Sequence, residues 1–181
     1  AGGARGYPAR PGRAPSADDA ALAAGVGGPD GLDRVERHLA LARVRRPGQP
    51  VVEVVESDGV VHSVYVVVDD QALLVEAAVV VVEQSGLSVR RVDHPIFAAV
   101  RDDAGTLVSL TPAGSPDADA DAVTESWIGL QVAPARGSID ADDVRARLIQ
   151  VIHRIGGVHA DAPAMLAELG SLADVCLLYT S

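Results

Sequence analysis

The chain has 181 residues and a formal net charge of −10, from 15 basic and 25 acidic side chains. Every basic residue is arginine and there is no lysine, which excludes Schiff-base chemistry and a phosphate-loop lysine for this chain alone. The negative charge argues against a nucleic-acid partner, whose phosphates require a basic surface.

Cysteine content and hydropathy indicate a cytoplasmic protein with no membrane partner. Cys176 is the only cysteine, so no internal disulfide can form and an oxidising compartment is not indicated. The longest unbroken apolar run, Ala77 to Val82, is far below the ~18 residues of a membrane span. The start lacks the apolar stretch of a signal peptide, and Ala1 in place of Met indicates a piece of something longer.

The first third of the chain begins with a segment of unusual composition. Residues 1–31 hold 8 of the 18 glycines and 4 of the 11 prolines, and such a segment buries too little surface to offset its ordering entropy. It is therefore predicted to be a flexible linker. Residues 32–50 are predicted to form a helix and a turn, with Asp30 as the cap and Pro47-Gly48 as the stop. The apolar positions of this helix fall at helical spacing: Leu32, Val35 and Leu39.

A β-hairpin is predicted next. Val51–Glu56 and Val60–Val68 are rich in β-branched residues, and Ser57-Asp58-Gly59 between them is a turn signal.

Residues 71–84 form the ambiguous element. The run Val79–Val82 favours a strand, but a strand of this length directly after another, without turn residues, is unusual. A buried helix is preferred, with Gly86 as its stop. Its apolar face consists of Leu74, Ala78, Val81 and Val82.

Three further strands follow. Leu87–Arg101 is predicted as a strand interrupted at His94-Pro95, because proline removes a ladder donor. A turn at Asp102-Asp103-Ala104-Gly105 leads into Thr106–Thr111, and the acidic Pro112–Thr124 loop follows. The next strand, Glu125–Ala133, alternates between two faces, which carry Ile128, Leu130 and Val132 on one side and Trp127, Gly129 and Gln131 on the other.

The last elements are helical. A long helix is predicted from Ser138 or Asp140 to Gly156-Gly157, and a further helix within residues 158–175 begins at Asp161. The apolar positions of the first are Val144, Leu148, Val151 and Ile155, and those of the second are Met165, Leu166 and Leu169.

Residues 60–156 therefore read β-α-β-β-(loop)-β-α, which is typical of an α+β, ferredoxin-like fold with an antiparallel sheet and two helices on one face. The domain is placed at residues 51–157. The opposite sheet face must be solvated or covered by a partner, and its valine-rich strand favours a partner.

The sequence contains partial matches to nucleotide-binding and metal-binding motifs, but none of them is complete. Gly25–Asp30 is similar to a dinucleotide loop but no strand precedes it. Asp117, Asp119 and Asp121 alternate as calcium ligands do, yet Ala122 and Ile128 stand where an EF-hand needs Gly and Glu. The five histidines lie on separate elements and do not pair at zinc-ligand spacing. No catalytic, cofactor or metal residue is predicted.

Asp69-Asp70 lies at the predicted strand-to-helix turn. One carboxylate there can cap the helix, worth about 1 kcal/mol; alternatively, the turn exposes N–H groups that could receive the carboxylate of a small ligand. Arg101-Asp102 is predicted to flank a hairpin, and Trp127 to be a packing anchor.

Several motifs occur in order along the chain. Residues 66–77 read VVVDDQALLVEA, followed by His94-Pro95, Arg101-Asp102 with Gly105, and Glu125-Ser126-Trp127. His38 to Gly48 precede them, and Asp161 to Met165 follow. Together they resemble the N-terminal region of the large bacterial NAD-specific glutamate dehydrogenases, whose corresponding stretch is VVTDDMPFLVDS.

This resemblance implies the first of several ACT-like domains that precede a catalytic part. The parent enzyme would oxidise L-glutamate to 2-oxoglutarate and ammonia with NAD, while this fragment would be non-catalytic and hold no cofactor. The implied partners are the rest of the polypeptide, further copies in a homo-oligomer and an amino-acid effector. The implied effector site is Asp69, Asp70, Gln71 and Ala72, and His94, Pro95, Arg101, Asp102, Gly105, Glu125 and Trp127 are structural landmarks.

The match has departures. Gln71-Ala72 replaces the family's Met-Pro, which removes preorganisation of the turn. Residues 176–181 (CLLYTS) resemble the translation of a sequencing adapter. Two alternatives stay open: a free-standing ACT-type amino-acid sensor and a purely structural oligomerisation module.

Overall fold

The computed structural model describes residues 15–17, 20, 29–133 and 139–157. Its elements, in chain order, are α1 (Pro29–Ala42), β1 (Val51–Ser57), β2 (Val60–Asp69), α2 (Leu74–Gln84), β3 (Ser88–Asp93), β4 (Ile96–Arg101), β5 (Leu107–Pro112), β6 (Val123–Ala133) and α3 (141–157). The predicted helix at 161 and the proposed adapter tail lie outside the described residues. None of the described helices has the length and hydropathy needed to cross a membrane.

The strands form one antiparallel sheet in the order β1-β2-β6-β4-β5, with β3 also paired to β6. β3 and β4 lie end to end along the same edge of β6, and the break at His94-Pro95 separates them. Strands β2 and β3 run parallel to each other with β6 between them, joined by α2, which is a split βαβ unit. The α+β, ferredoxin-like prediction is confirmed.

The first core lies between the sheet and the helices α2 and α3. The buried face of α2 is Leu74, Ala78, Val81 and Val82, the face predicted from the sequence. Asp140 caps α3 by accepting hydrogen bonds from the N–H groups of Asp142 and Asp143. The inward side chains of the central strands complete this core: Val64, Val66 and Val68 of β2 and Ile128, Leu130 and Val132 of β6.

The second face of the sheet is covered by α1. Ala42 is fully buried in a second cluster with Phe97 and Trp127, and Leu39 packs against it. The sequence predicts that solvent or a partner covers this face. That prediction is wrong for the region under α1. The amphipathic helix of the same chain buries this surface, because its apolar stripe matches the alternate side chains of β2, β4 and β6.

Two boundaries in the N-terminal part differ from the prediction. α1 begins at Pro29, so Asp30 lies inside the helix rather than before it, and α1 ends at Ala42, five residues before Pro47. Proline is well suited to a first helical turn because its missing N–H is unpaired there in any case. Ala20, within the predicted linker, is 2% exposed and packs with Val35, so that residue is ordered against the fold.

A buried arginine and glutamate network as the candidate functional site

The motif residues converge at one end of the sheet, on the face that carries α1. Asp69 ends β2, and it lies directly opposite Glu125 in the antiparallel pairing of β2 with β6. Two like charges in this position destabilise a sheet. A cation must therefore lie between them.

Arg45 is that cation. Its Nη2 donates to Glu125 Oε1 at 2.7 Å and to Asp69 Oδ1 at 2.5 Å. Nη1 donates to the carbonyl oxygens of Arg46 and Gln49. The Arg45 side chain is only 1% exposed, and its planar guanidinium binds both carboxylates and the turn that follows α1.

Arg101 forms the other side of the network. Its Nε and Nη2 donate to the two oxygens of Glu125 at 2.6 and 3.0 Å, a bidentate pair. Its Nη1 donates to the carbonyl oxygen of Ala42 and to that of Gly105, each at 2.9 Å. Because Ala42 is the last residue of α1, Arg101 stabilises the negative end of that helix.

Glu125 is the centre of the network and is completely buried. Its Oε2 also accepts the indole N–H of Trp127 at 3.1 Å. Burial alone would raise the pKa of Glu125, but the hydrogen bonds and charges of Arg101 and Arg45 outweigh it and hold that pKa below its usual value. Burial opposes the charge of Arg45 in the same way, and its bonds to Asp69 and Glu125 raise its pKa above the ordinary value.

Gly105 brings the 102–105 turn against Arg45. Its φ is +85°, and a Cβ there would lie 2.6 Å from the carbonyl oxygen of Arg45. The backbone N–H of Arg45 donates to the Gly105 carbonyl oxygen at 2.9 Å. Asp102 closes the turn by accepting the N–H groups of Ala104 and Thr106, which lowers the pKa of its carboxyl.

The Gly105→Ala variant is expected to lose more than about 2 kcal/mol of unfolding free energy, since strain at positive φ adds to a clash with backbone. Gly114→Ala is the matched control, because Gly114 has φ +75° but nothing within 4 Å of the added carbon. Urea unfolding followed by circular dichroism measures both. Equal losses in the two variants would show that the contact with Arg45 contributes nothing.

A second polar chain connects Asp70, Ser126 and His94. The Ser126 hydroxyl donates to Asp70 Oδ1, and His94 Nε2 lies 3.0 Å from the same hydroxyl oxygen. Burial lowers the pKa of His94, partly opposed by Asp70 and Glu76. In a nucleophilic triad the histidine lies between serine and carboxylate, whereas here the fully buried Ser126 occupies the middle. These hydrogen bonds connect β2 and β6 to the break between β3 and β4. They do not activate Ser126 as a nucleophile.

The predicted helix cap at Asp69-Asp70 is wrong. The N-cap of α2 is Leu73, with φ 70° and no side-chain capping bond. Asp69 instead binds Arg45 and the N–H of Gly48, and Asp70 binds Ser126. The backbone N–H groups of Gln71 and Ala72 have no hydrogen-bond partner within the described part of the chain.

The remaining predicted landmarks make packing and backbone contacts. The Pro95 carbonyl accepts the N–H of Trp127 at the strand break, and Trp127 is 1% exposed beside Phe97. Across the described ranges no three His, Cys, Asp or Glu side chains are grouped as metal ligands. Asp117 and Asp121 hydrogen-bond within their own loop through backbone N–H groups.

A small cavity lies between α1 and the sheet. His38 lies 94% buried there between Tyr65 and Trp127, and its Nε2 donates to the Val66 carbonyl oxygen at 3.1 Å. Arg34 and Asp93 line the cavity, with Arg34 Nε 3.4 Å from an Asp93 oxygen. Its volume of about 30 Å³ is far below the ~300 Å³ of small-molecule sites.

The sequence motifs contain most residues of this network, but they do not indicate that these residues bind one another. Asp69, Arg101, Gly105, Glu125 and Trp127 were singled out and lie together. Arg45 and Ser126 were not assigned a role; the nearest signal for Arg45 was its position directly before the Arg46-Pro47-Gly48 motif.

Comparison of the chain with known protein families identifies the family to which it belongs. No solved structure matches the chain. The family model described as "Glutamate dehydrogenase, ACT1 domain" matches residues 31–148, which span most of α1, the whole sheet and about the first half of α3. The match covers more than half of the chain and includes every residue of the buried network, and the chain therefore belongs to the family of glutamate dehydrogenase ACT1 domains.

Proposed function

We propose that this chain is a non-catalytic assembly and regulatory domain of an NAD-dependent glutamate dehydrogenase that acts in the cytoplasm. The observation that carries the proposal is that the motif residues are used for packing: Glu125 is fully buried and its oxygens are saturated by Arg45, Arg101 and Trp127. Groups held in this way are unavailable to a substrate. Catalysis and NAD binding would then belong to other parts of the parent polypeptide.

The outer edge of β1 supports a role in assembly. No strand among the described residues pairs with that edge, and four of the seven residues of β1 are valine. An unpaired, valine-rich edge offers backbone hydrogen bonds to a further strand. A second copy of this domain can supply that strand in a homo-oligomer.

The assembly role predicts that the purified chain is a dimer at micromolar concentration and that Val55→Arg dissociates it, because a charge on an edge strand opposes pairing. Val108→Arg is the control: it adds the same charge to the opposite edge strand, at a residue that is 46% exposed. Light scattering coupled to size-exclusion chromatography gives the mass. A monomeric wild type, or dissociation by both variants, would contradict pairing through β1.

An amino-acid sensor is the second candidate, favoured by the N–H groups of Gln71 and Ala72 at the turn before α2, which have no hydrogen-bond partner among the described residues. Free N–H groups at a turn can receive a carboxylate. Calorimetric titration with arginine, aspartate and glutamate tests this role, and the absence of heat with all three would remove it. A stop codon shortly after the described domain in the source DNA would exclude the dehydrogenase parent and leave the free-standing sensor.

A further inference from the structure

The outer surface of α2 carries an apolar stripe that remains exposed in the described part of the chain. Leu73, at the N-cap, is 65% exposed, and Val80, two turns further on, is 50% exposed. Ala77 lies between them at helical spacing and is partly exposed. Large apolar side chains that are exposed together on one helix mark a surface that another element can cover.

The backbone at Leu73 supports this reading of the stripe. Its φ of 70° lies in the left-handed region, which is rare for a bulky side chain and is found where the surrounding structure uses the conformation. Within the described fold, the Leu73 side chain belongs to no hydrophobic cluster. It becomes buried only when a further surface covers it.

The two helices on this side of the sheet carry opposite charges. α2 contains Glu76 and Glu83, both exposed, and no basic residue. From residue 144 onwards, α3 contains three arginines, Arg145, Arg147 and Arg154, and no acidic residue. Within the described residues, Glu76, Glu83 and Arg154 form no ion pair. The outer side of α2 is therefore acidic and apolar, and that of α3 is basic.

α2 and α3 lie side by side and antiparallel. The turn before α2 meets the end of α3, where a Cβ on Gly156 would lie 3.8 Å from the Gln71 amide. At the other end of α2, Arg147 Nη1 donates to the Oγ atom of Ser85, the C-cap, at 3.1 Å. These two contacts determine which residues of the two helices lie at the same height.

The charges favour one way in which two copies can meet through this pair of helices. A two-fold axis parallel to the helices places α2 of one copy over α3 of the other and keeps every residue at its height. Glu83 then lies level with the partner's Arg145 and Arg147, and Glu76 lies within about one helical turn of the partner's Arg154. A two-fold axis across the helices would instead place α2 over α2, with glutamates facing glutamates.

We propose that the outer face of α2 and α3 pairs with the same face of a second copy about the axis parallel to the helices. Leu73 and Val80 lie within the paired surface, and Glu76 pairs with the partner's Arg154. A second copy is the occupant that the charges favour, because one chain supplies both the acidic and the basic helix. The apolar stripe is short, so the association is weak. It uses the helices rather than the edge of β1 and does not depend on pairing through that edge.

Sedimentation velocity of the full chain carrying Val55→Arg tests the pairing, because a charge on the β1 edge opposes the other mode of assembly. We expect the average mass to double as the concentration is raised from the micromolar to the millimolar range. Glu76→Arg or Arg154→Glu, each added to this chain, is expected to weaken the association about tenfold, because two pairs become like-charged in every dimer. A mass that does not change with concentration overturns the proposal.

A mixture of the Glu76→Arg and Arg154→Glu chains distinguishes contact between copies from an effect within one copy. In a mixed dimer, each reversed charge faces an opposite charge on the partner, so we expect mixing to restore the association. Failure to restore it overturns the proposal. Glu36→Arg is the matched control, since it makes the same charge change at an exposed residue of α1, on the other face of the sheet. Equal weakening by Glu36→Arg and Glu76→Arg would assign the effect to net charge and overturn the proposed face.

Discussion

The Glu125→Gln variant is expected to lose about 3–5 kcal/mol of unfolding free energy, the largest loss for a single substitution in this domain. Glutamine has nearly the same shape but no charge, so Arg101 would remain buried without its bidentate carboxylate, and Arg45 would keep Asp69 as its remaining anion. Arg45 has 1% and Arg101 has 7% exposure, and water cannot take the place of the carboxylate. Urea unfolding followed by far-ultraviolet circular dichroism measures the loss.

The control is Glu53→Gln, which removes a carboxylate from an exposed ion pair with Arg37. Exposed pairs contribute at most about 1 kcal/mol, so the Glu53 variant should unfold close to the wild-type midpoint. If both glutamine variants unfolded at the same urea concentration, the buried network would have no special role. Replacing Arg45, Glu125 and Arg101 together by apolar residues of similar volume should recover much of the loss.

The second large effect is a pH dependence centred on His38. Burial lowers the pKa of His38 from 6.5 to about 4, although its bond to Val66 and the charge of Asp93 oppose the shift. The unfolded chain therefore binds a proton at this residue that the folded chain does not bind between these two values. This difference in the protonation of His38 changes the free energy of unfolding by about 3 kcal/mol. The corresponding stability is fully present above pH 6.5 and is lost as the pH falls towards about 4.

His38→Gln tests this dependence, since glutamine keeps an N–H donor but does not titrate. The slope of unfolding free energy against pH between 6.5 and about 4 should flatten in the variant. His62→Gln is the control, because His62 is exposed on β2 and its replacement should leave the slope unchanged. An unchanged slope in the His38 variant would assign the pH dependence to other groups. Glu125, whose pKa is lowered, adds its own loss as the pH falls below the ordinary range of a glutamate carboxyl.

Local patterns predicted the elements of this fold well. The apolar face of α2 and the break at His94-Pro95 follow from residues near each other in the chain, where spacing and proline chemistry decide the outcome. The Asp58-Gly59 turn has positive φ at both residues, as a two-residue hairpin requires.

The errors came from interactions between distant residues. Asp69 was interpreted as a helix cap, but its partner Arg45 lies 24 positions earlier, and nothing local reveals the cross-strand contact with Glu125. The sequence predicts a partner on the second face of the sheet, because the amphipathic stripe of α1 does not specify which surface the helix covers. The register of the strands and the docking of α1 depend on contacts between residues that are far apart in the chain. Local sequence patterns do not specify either of them.

The position of β6 has a consequence for how the domain forms during synthesis. Of the strands that the structure describes, β6 leaves the ribosome last, yet it lies at the centre of the sheet, between β2 and β4. Until residue 133 has emerged, the hairpin of β1 and β2 and the hairpin of β4 and β5 have no strand to join them. Arg45 and Arg101 also lack Glu125 until then. The domain must therefore close in one late, cooperative step, and a nascent chain shortened before β6 would expose two open strand edges, those of the valine-rich β2 and of β4, to its neighbours.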